Sequence, residues 1–345
     1  MELNQFTYEL PRSLIASYPS QDRTQARLMV VDRGAGTLSH THFSSLGDFL
    51  CSGDLMVLND SRVLPARLIG KKESGGKVEV LLLEPFPSWK SLWIALVKAS
   101  KKPNVGSRLF FAHGVYAQVI GDMGDGRYGL KFVHQGDFMD LLGDLGEPPL
   151  PPYIHRTRSL APLDKERYQT VYACNPGSIA APTAGFHFTP AQLEELAARG
   201  VERAYLTLHV GLGTFLPVRQ ENVEQHRMEG ERYSLTTEAA ARVEQAKRDG
   251  RRVIAVGTTT TRALEWIAER RGGVRADEGI ARLFIYPGYR FRVIDGLLTN
   301  FHLPGSTPLI LVSAFAGSEW VQRAYREAIR LQYRFYSYGD AMLIL

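Results

Sequence analysis

Cysteine is nearly absent: the 345 residues hold two, Cys51 and Cys174. They are far apart, belong to no metal-ligand spacing, and fit reduced or buried thiols in a cytosolic protein. No apolar run reaches the roughly 18 residues that a membrane-spanning helix needs. The N-terminus, MELNQFTYELPRSLIASYP, lacks the basic start and apolar block of a signal peptide. A cytoplasmic protein without membrane attachment is therefore expected. HExxH, paired CxxC and acidic metal loops are all missing, so metal catalysis has no support and no metal site is expected. There is no GxGxxG fingerprint, no P-loop lysine, no serine-nucleophile elbow, no internal repeat and no low-complexity tract.

What is present is ordinary globular composition, 44% hydrophobic and 22% charged, which argues against disorder. The length suits one large or two medium domains. The net charge is +5, and from Ala241 onward 16 Lys+Arg stand against 10 Asp+Glu. A basic C-terminal third fits an acidic partner such as RNA, and equally fits exposed arginine-rich helix faces.

The chain changes period along its length. KVEVLLLE, VYAQVI and YGLKFVH alternate and are cut by glycine-rich turns, which predicts a small antiparallel sheet or barrel over residues 66–134. A short helix and the proline-dense GEPPLPPYIHR follow. Beyond them TPAQLEELAARG, TTEAAARVEQAKRDG and TTTTRALEWIAERRGG read as helices alternating with the strands VERAYLTLHV and RRVIAVG. Thr189, Pro190 and Gly200 supply the cap, first turn and stop of the first of these helices. This pattern predicts a layered α/β domain with a largely parallel sheet. CSGDLMVLND ends in an apolar strand and joins the same domain. The expected organisation is a discontinuous α/β domain, residues 1–61 and 150–345, with a small antiparallel β-barrel domain inserted at 62–149.

Ligands of such folds collect where strands end and helices begin. MVLNDSRVLPARL closes its apolar run with Asn59, Asp60 and Arg62, and Arg67 lies just beyond. LTLHVGLGTFLPV brings His209, a Gly-X-Gly bend and Thr214. GSIAAPTAGFHFTP sets Thr183 and His187 among small residues. VIAVGTTTTRALE passes from strand to helix through Gly257, Thr258, Thr259 and Arg262. A helix N-terminus presents unpaired N–H groups, and with threonine hydroxyls beside them such a turn can hold an anion or a ribose hydroxyl. Each cluster also has a plain structural reading: a turn at Asn59 and Asp60, N-caps among the threonines, a satisfied core histidine at His209. In DGLLTNFHLPGSTPLILVSAFAG, Asp295 to Thr299 reads as a strand. Ser306 or Thr307 reads as the cap of a helix with Pro308 in its first turn and Gly317 as its stop. Pattern leaves Asn300 and His302 unexplained.

Nine motifs occur in order: LNDSRVLPARL, GGKVEVLLLE, PLPPYI, YQTVYA, AAPTAGFHFT, LTLHVGLGTFLPV, VIAVGTTTTRALE, TNFHLPGST and YRFYSYGDAMLI. Together, from Tyr8 to Leu345, they resemble the S-adenosylmethionine:tRNA ribosyltransferase-isomerase family of queuosine biosynthesis. The resemblance implies a discontinuous α/β domain carrying a β-barrel. It implies S-adenosylmethionine as ribosyl donor and, as partner, a tRNA carrying 7-aminomethyl-7-deazaguanine at the wobble position. Epoxyqueuosine-tRNA, adenine and methionine would be the products, and no obligate protein partner is implied.

That chemistry needs a base near the 5′-methylene, a general acid to protonate or hydrogen-bond the departing adenine, and deprotonation of the attacking amine. His187, His209 and His302, with Asp60 or Asp340, are the expected proton-transfer groups. Thr258, Thr259 and Arg262 would hold the ribose or carboxylate of the donor, with Thr183, Thr214 and Asn300 as further binding residues. Asn59, Arg62 and Arg67 would line the cleft or meet tRNA phosphate. Arg334, in YRFYSYGD, belongs to a segment able to stack on anticodon bases, or else to pack on the sheet. Two departures stand out: HRMEGE replaces the family's HxMHxE run, with Glu229 for the second histidine, and Pro308 follows Ser306–Thr307. A methyltransferase releasing S-adenosylhomocysteine and a non-catalytic tRNA-binding protein are the competing classes.

Overall fold

The computed structural model describes residues 1–86, 91–151, 153–154, 161–211, 213 and 218–345. Strands β1 (Arg27–Asp32), β2 (Thr37–His42), β3 (Leu55–Asn59) and β4 (Ser61–Val63) come first. Six strands follow: β5 (Arg67–Lys72), β6 (Lys77–Pro85), β7 (Leu92–Ala99), β8 (Arg108–Phe110), β9 (Tyr116–Gly124) and β10 (Arg127–Val133). Helices α1 (Phe138–Leu145) and α2 (Ala161–Arg167) lead to β11 (Asn175–Ser178), α3 (Pro190–Ala198), β12 (Glu202–Leu208) and β13 (Glu231–Leu235). The chain ends with α4 (Thr237–Arg248), β14 (Val253–Val256), α5 (Thr258–Arg271), β15 (Asp277–Ala281), β16 (Gly296–Asn300), α6 (Thr307–Ala316), α7 (Ser318–Arg330) and β17 (Ala341–Ile344).

β5 to β10 close into an antiparallel barrel in the order β10-β7-β6-β5-β8-β9. Alternation builds it: Val78, Val80 and Leu82 of β6 and Trp93, Ala95 and Val97 of β7 share one buried cluster. Phe138 and Leu142 of α1 join that cluster.

The other sheet has nine strands in the order β15-β13-β12-β3-β14-β16-β17-β1-β2. β1 to β3 precede the barrel and β12 to β17 follow it, so one sheet is assembled from both sides of the barrel sequence. β12, β3, β14 and β16 run parallel, as the β–α alternation predicts. The flanks differ from the expected largely parallel sheet: β13, β15, β17 and β2 each pair antiparallel with a neighbour. β15 and β17 are only five and four residues long, too short to show a clear period.

Apolar runs in the central strands serve two cores. Leu55, Val57, Val253, Ala255 and Leu297 face one side, with Val243 of α4, Leu264 of α5, Ile310 of α6 and Tyr325 of α7. Met56, Leu58, Ile254, Val256 and Leu298 face the other, with Leu193 and Leu196 of α3. Strands covered on both faces lose the hydrophobic–polar alternation. The helix signals hold in detail. Thr189 Oγ1 accepts from Gln192 N, Pro190 opens α3, and Gly200 follows with φ of 84°. Ser306 caps α6 by accepting from Leu309 N, and Gly317 ends it. Cys51 and Cys174 are free and exposed rather than buried. Among the described residues no helix is long and apolar enough to cross a membrane, and no group of three or more His, Cys, Asp or Glu could hold a metal ion.

Candidate active site

A small cleft opens where β14 and β16 end. Most of its wall comes from Ala181–Ala184, Gly257–Thr259, the exit of β16 at Thr299, Asn300 and His302, and Tyr336–Ser337, with Val210, Ser306 and Pro308 completing it. No Asp, Glu, Lys or Arg is among the described lining residues. The surface is uncharged and largely apolar, with hydroxyl, amide and imidazole groups set into it.

α5 begins at this wall. Gly257 is its N-cap at φ 93°, a conformation that favours glycine, and no side chain caps the helix. The first-turn N–H groups therefore lack an intrahelical or side-chain acceptor at the cleft. The four threonines divide. Thr258 and Thr259 line the cleft, whereas Thr260 and Thr261 donate back to the carbonyls of Val256 (2.7 Å) and Gly257 (3.2 Å). Asn59 is fully buried beneath them. Its Nδ2 donates to Leu208 O (2.9 Å) and Thr259 Oγ1 (3.3 Å), and its Oδ1 accepts from Ser61 N and Leu208 N. It ties β3, β12 and α5 together from below.

Asn300 brackets the opposite wall: Oδ1 accepts from Thr183 Oγ1 (3.1 Å) and Nδ2 donates to Tyr336 O (3.2 Å). His302 is clamped on every side. Its Nε2 lies 2.8 Å from Thr299 Oγ1, its N–H donates to Tyr325 Oη (2.9 Å), and its carbonyl accepts from Tyr8 Oη. The rings of Tyr8 and Tyr325 meet edge-on at 5.1 Å. Burial lowers the His302 imidazole pKa to about 3, so the ring is neutral near pH 7.

The remaining sequence candidates lie elsewhere. His187 faces a neighbouring hollow, with ring nitrogens 3.2 Å from Ala184 O and 2.9 Å from Gly339 O and its face stacked on Phe43. Asp60 and His209 line a broader groove along β12. There the Asp60 carboxylate accepts from Thr207 Oγ1 (2.6 Å) and Asn175 Nδ2 (3.0 Å). Burial, then Arg232, lowers the His209 pKa to about 4. Asp340 is buried and accepts from the N–H groups of Arg27 (2.9 Å) and Arg334 (2.7 Å). Arg334 itself reaches Ser20 Oγ (2.8 Å) and Tyr18 O. Arg62 is exposed on β4. Arg67 grips Glu79 with two bonds of 3.0 Å and Glu147 with one of 3.1 Å. Arg262 is buried against Glu231 at 2.6 Å. Thr214 lies outside the described residues. Glu229, at the departure from the family's histidine, ion-pairs with Arg127 of β10 and so links the barrel to the segment before β13.

Tyr336 was legible only as one aromatic residue among several. The residue lines the cleft, and its φ of 77° puts a non-glycine residue in the left-handed region, a strain of about 1–3 kcal/mol that the surroundings must hold. Phe301 O accepts its N–H at 2.9 Å, and the Tyr153 ring meets it edge-on at 4.1 Å. Phe335 and Tyr333, its neighbours in the motif, are core residues.

The depressed histidines predict acid sensitivity. An unfolded histidine titrates near 6.5, whereas His302 and His209 hold pKa values of about 3 and about 4 in the fold. Below pH 6.5 the unfolded chain therefore binds protons that the folded chain refuses. Stability is full above 6.5 and is lost as pH falls toward 4. Between pH 7 and pH 5 the loss is about 2 kcal/mol per histidine. Urea unfolding of His209→Gln at both pH values should show a pH dependence smaller by that amount; an undiminished dependence would refute it.

A model of the family described as queuosine biosynthesis protein matches residues 3–344. A relative from Carboxydothermus hydrogenoformans is 51% identical and one from Syntrophotalea carbinolica 49%, each aligned over 100% of both chains. Both are named S-adenosylmethionine:tRNA ribosyltransferase-isomerase. The chain belongs to that family. A crystal structure of S-adenosylmethionine tRNA ribosyltransferase from Thermotoga maritima is 36% identical, with a TM-score of 0.56 over 99% of this chain and 100% of that one. The family resemblance carried by the nine motifs is thus borne out, as is the α/β fold with a barrel. The chain is an enzyme, a transferase of tRNA modification in queuosine biosynthesis.

Proposed function

We propose that the cleft binds S-adenosylmethionine and that the chain transfers and isomerises its ribosyl group onto 7-aminomethyl-7-deazaguanine at the wobble position of tRNA. Epoxyqueuosine-tRNA forms, and adenine and methionine leave. The observation that carries this reading is the full-length likeness to relatives named for that activity. The cleft is chemically suited to it. The uncapped start of α5 with Thr258 and Thr259 offers donors for the ribose hydroxyls or the methionine carboxylate, and the Tyr336 ring is a flat apolar surface for a base.

In this reading His302 is a neutral hydrogen-bonding group rather than an imidazolium acid, because burial keeps it uncharged. Thr299 fixes one ring nitrogen and leaves the other for the ligand. A fixed donor aimed at the departing adenine stabilises the negative charge that develops there. Asn300 and Thr183 act as binding residues through the bond that joins them. His187, His209, Asp60 and Asp340 support the architecture. The reading also takes residues 1–61 and 150–345 as the catalytic domain and 62–149 as an inserted barrel domain, in a cytoplasmic enzyme without metal or obligate protein partner.

Incubation of the protein with S-adenosylmethionine and precursor-modified tRNA tests it. Adenine and methionine should appear in equal amounts with the modified tRNA. S-adenosylhomocysteine instead would identify a methyltransferase, and binding without turnover a tRNA-binding protein.

A further inference from the structure

A smaller, shallow hollow adjoins the cleft and shares Ser337 with it. Arg23, Arg167, Ser20 and Gly339 are part of its lining, and no carboxylate lines it among the described residues. Both guanidinium groups bond to neutral acceptors. Arg23 donates from Nη1 to Gln169 O (3.1 Å) and Phe186 O (2.9 Å), and from Nη2 to Gln169 O (3.1 Å). Arg167 donates from Nη2 to Ser20 O, and from both Nη atoms to Gln21 O at 3.4 Å. Its Nε is buried and has no partner among the described residues. Carbonyls orient these cations without cancelling their charge. Glu166 and Asp22 act on them only through space, and no ion pair to either arginine occurs among the described residues. Arg334 fixes the rim by bonding to Ser20 and Tyr18.

We propose that this hollow is a phosphate site for the tRNA strand, holding a backbone phosphate beside the wobble nucleotide whose base enters the cleft across Ser337. Two oriented guanidinium groups on one small hollow match a phosphodiester, and backbone phosphates are what set the register of a bound nucleic acid. The inference rests on the proposed reaction for the identity of its ligand. The other anion at hand is the methionine carboxylate of S-adenosylmethionine, and the experiment separates the two.

The full-length wild type, Arg167→Gln and Arg167→Lys would be titrated with precursor-modified tRNA over a range of KCl, and separately with S-adenosylmethionine. Loss of one phosphate contact to a single strand lowers the slope of log K against log salt by about 0.7. The Gln variant should show that loss with unchanged S-adenosylmethionine affinity. The Lys variant should keep the slope, because a lysine retains the charge while losing the fork that holds Ser20 and Gln21. An unchanged slope in Arg167→Gln overturns the proposal. So does loss of S-adenosylmethionine affinity at constant slope, which would assign the hollow to the carboxylate, or a Lys variant no better than Gln, which would make Arg167 structural. Wild-type adenine release, measured in parallel, tests the proposed reaction independently: no release sinks that reading, whereas release with an unaltered slope sinks the phosphate site alone.

Discussion

His302→Ala is expected to lower the single-turnover rate of adenine release by about 10²–10³-fold, the usual cost of removing one fixed donor to developing charge. Among the described residues that line the cleft His302 is the one histidine, and the fold invests heavily in its position. Thr299 holds its ring, while Tyr325 and Tyr8 hold its N–H and carbonyl from opposite sides. Its pKa of about 3 has a kinetic corollary. The pH–rate profile of the wild type should carry no limb from His302 between pH 6 and 9, so the variant should lose rate uniformly across that range. His302→Gln, which keeps a donor at similar reach, should recover part of the rate. His187→Ala should lose stability and little rate, since its ring lies outside the cleft against Phe43. A His302→Ala rate within about threefold of wild type would remove the imidazole from the mechanism.

Asn300 and His302 were visible in the sequence because they interrupt a pattern that otherwise explains its residues. Strand β16, the cap at Ser306 and helix α6 follow from local period and local hydrogen bonding, which leaves two polar side chains without a structural task. The fold was legible for the same reason wherever a strand or helix is long. What escaped depends on partners distant in sequence. Arg67 reads as a free cation until Glu79 and Glu147 fold beside it. Thr260 and Thr261 look equivalent to Thr258 and Thr259 until the helix turns them inward. Tyr336 has no sequence signal for its positive φ, which the bonds to Phe301 and Asn300 impose from 35 and 36 residues away. Local pattern reports period. It does not report which charge will meet which.

Arg262 is the sharpest case, and Glu231→Ala is expected to destabilise the fold by about 3–5 kcal/mol. The two side chains meet at 2.6 Å with only 6% and 1% of their surfaces exposed. Glu231 also accepts Gly211 N at 2.9 Å, and Arg262 donates from Nε to Leu283 O at 3.2 Å. The pair thus joins β13, the loop after β12 and the helix that presents Thr258 and Thr259 to the cleft. Without Glu231 the guanidinium stays buried with a carbonyl as its remaining acceptor, and its Nη2 already lacks a partner among the described residues. An unpaired buried charge costs far more than an absent pair. The double variant Arg262→Met/Glu231→Leu should therefore recover most of the loss, as apolar residues of similar volume fill the site. Urea unfolding of the single and double variants measures this directly. S-adenosylmethionine titration of the double variant decides the role of Arg262: affinity within a few-fold of wild type marks an architectural ion pair. Normal stability with lost affinity would return Arg262 to the ligand.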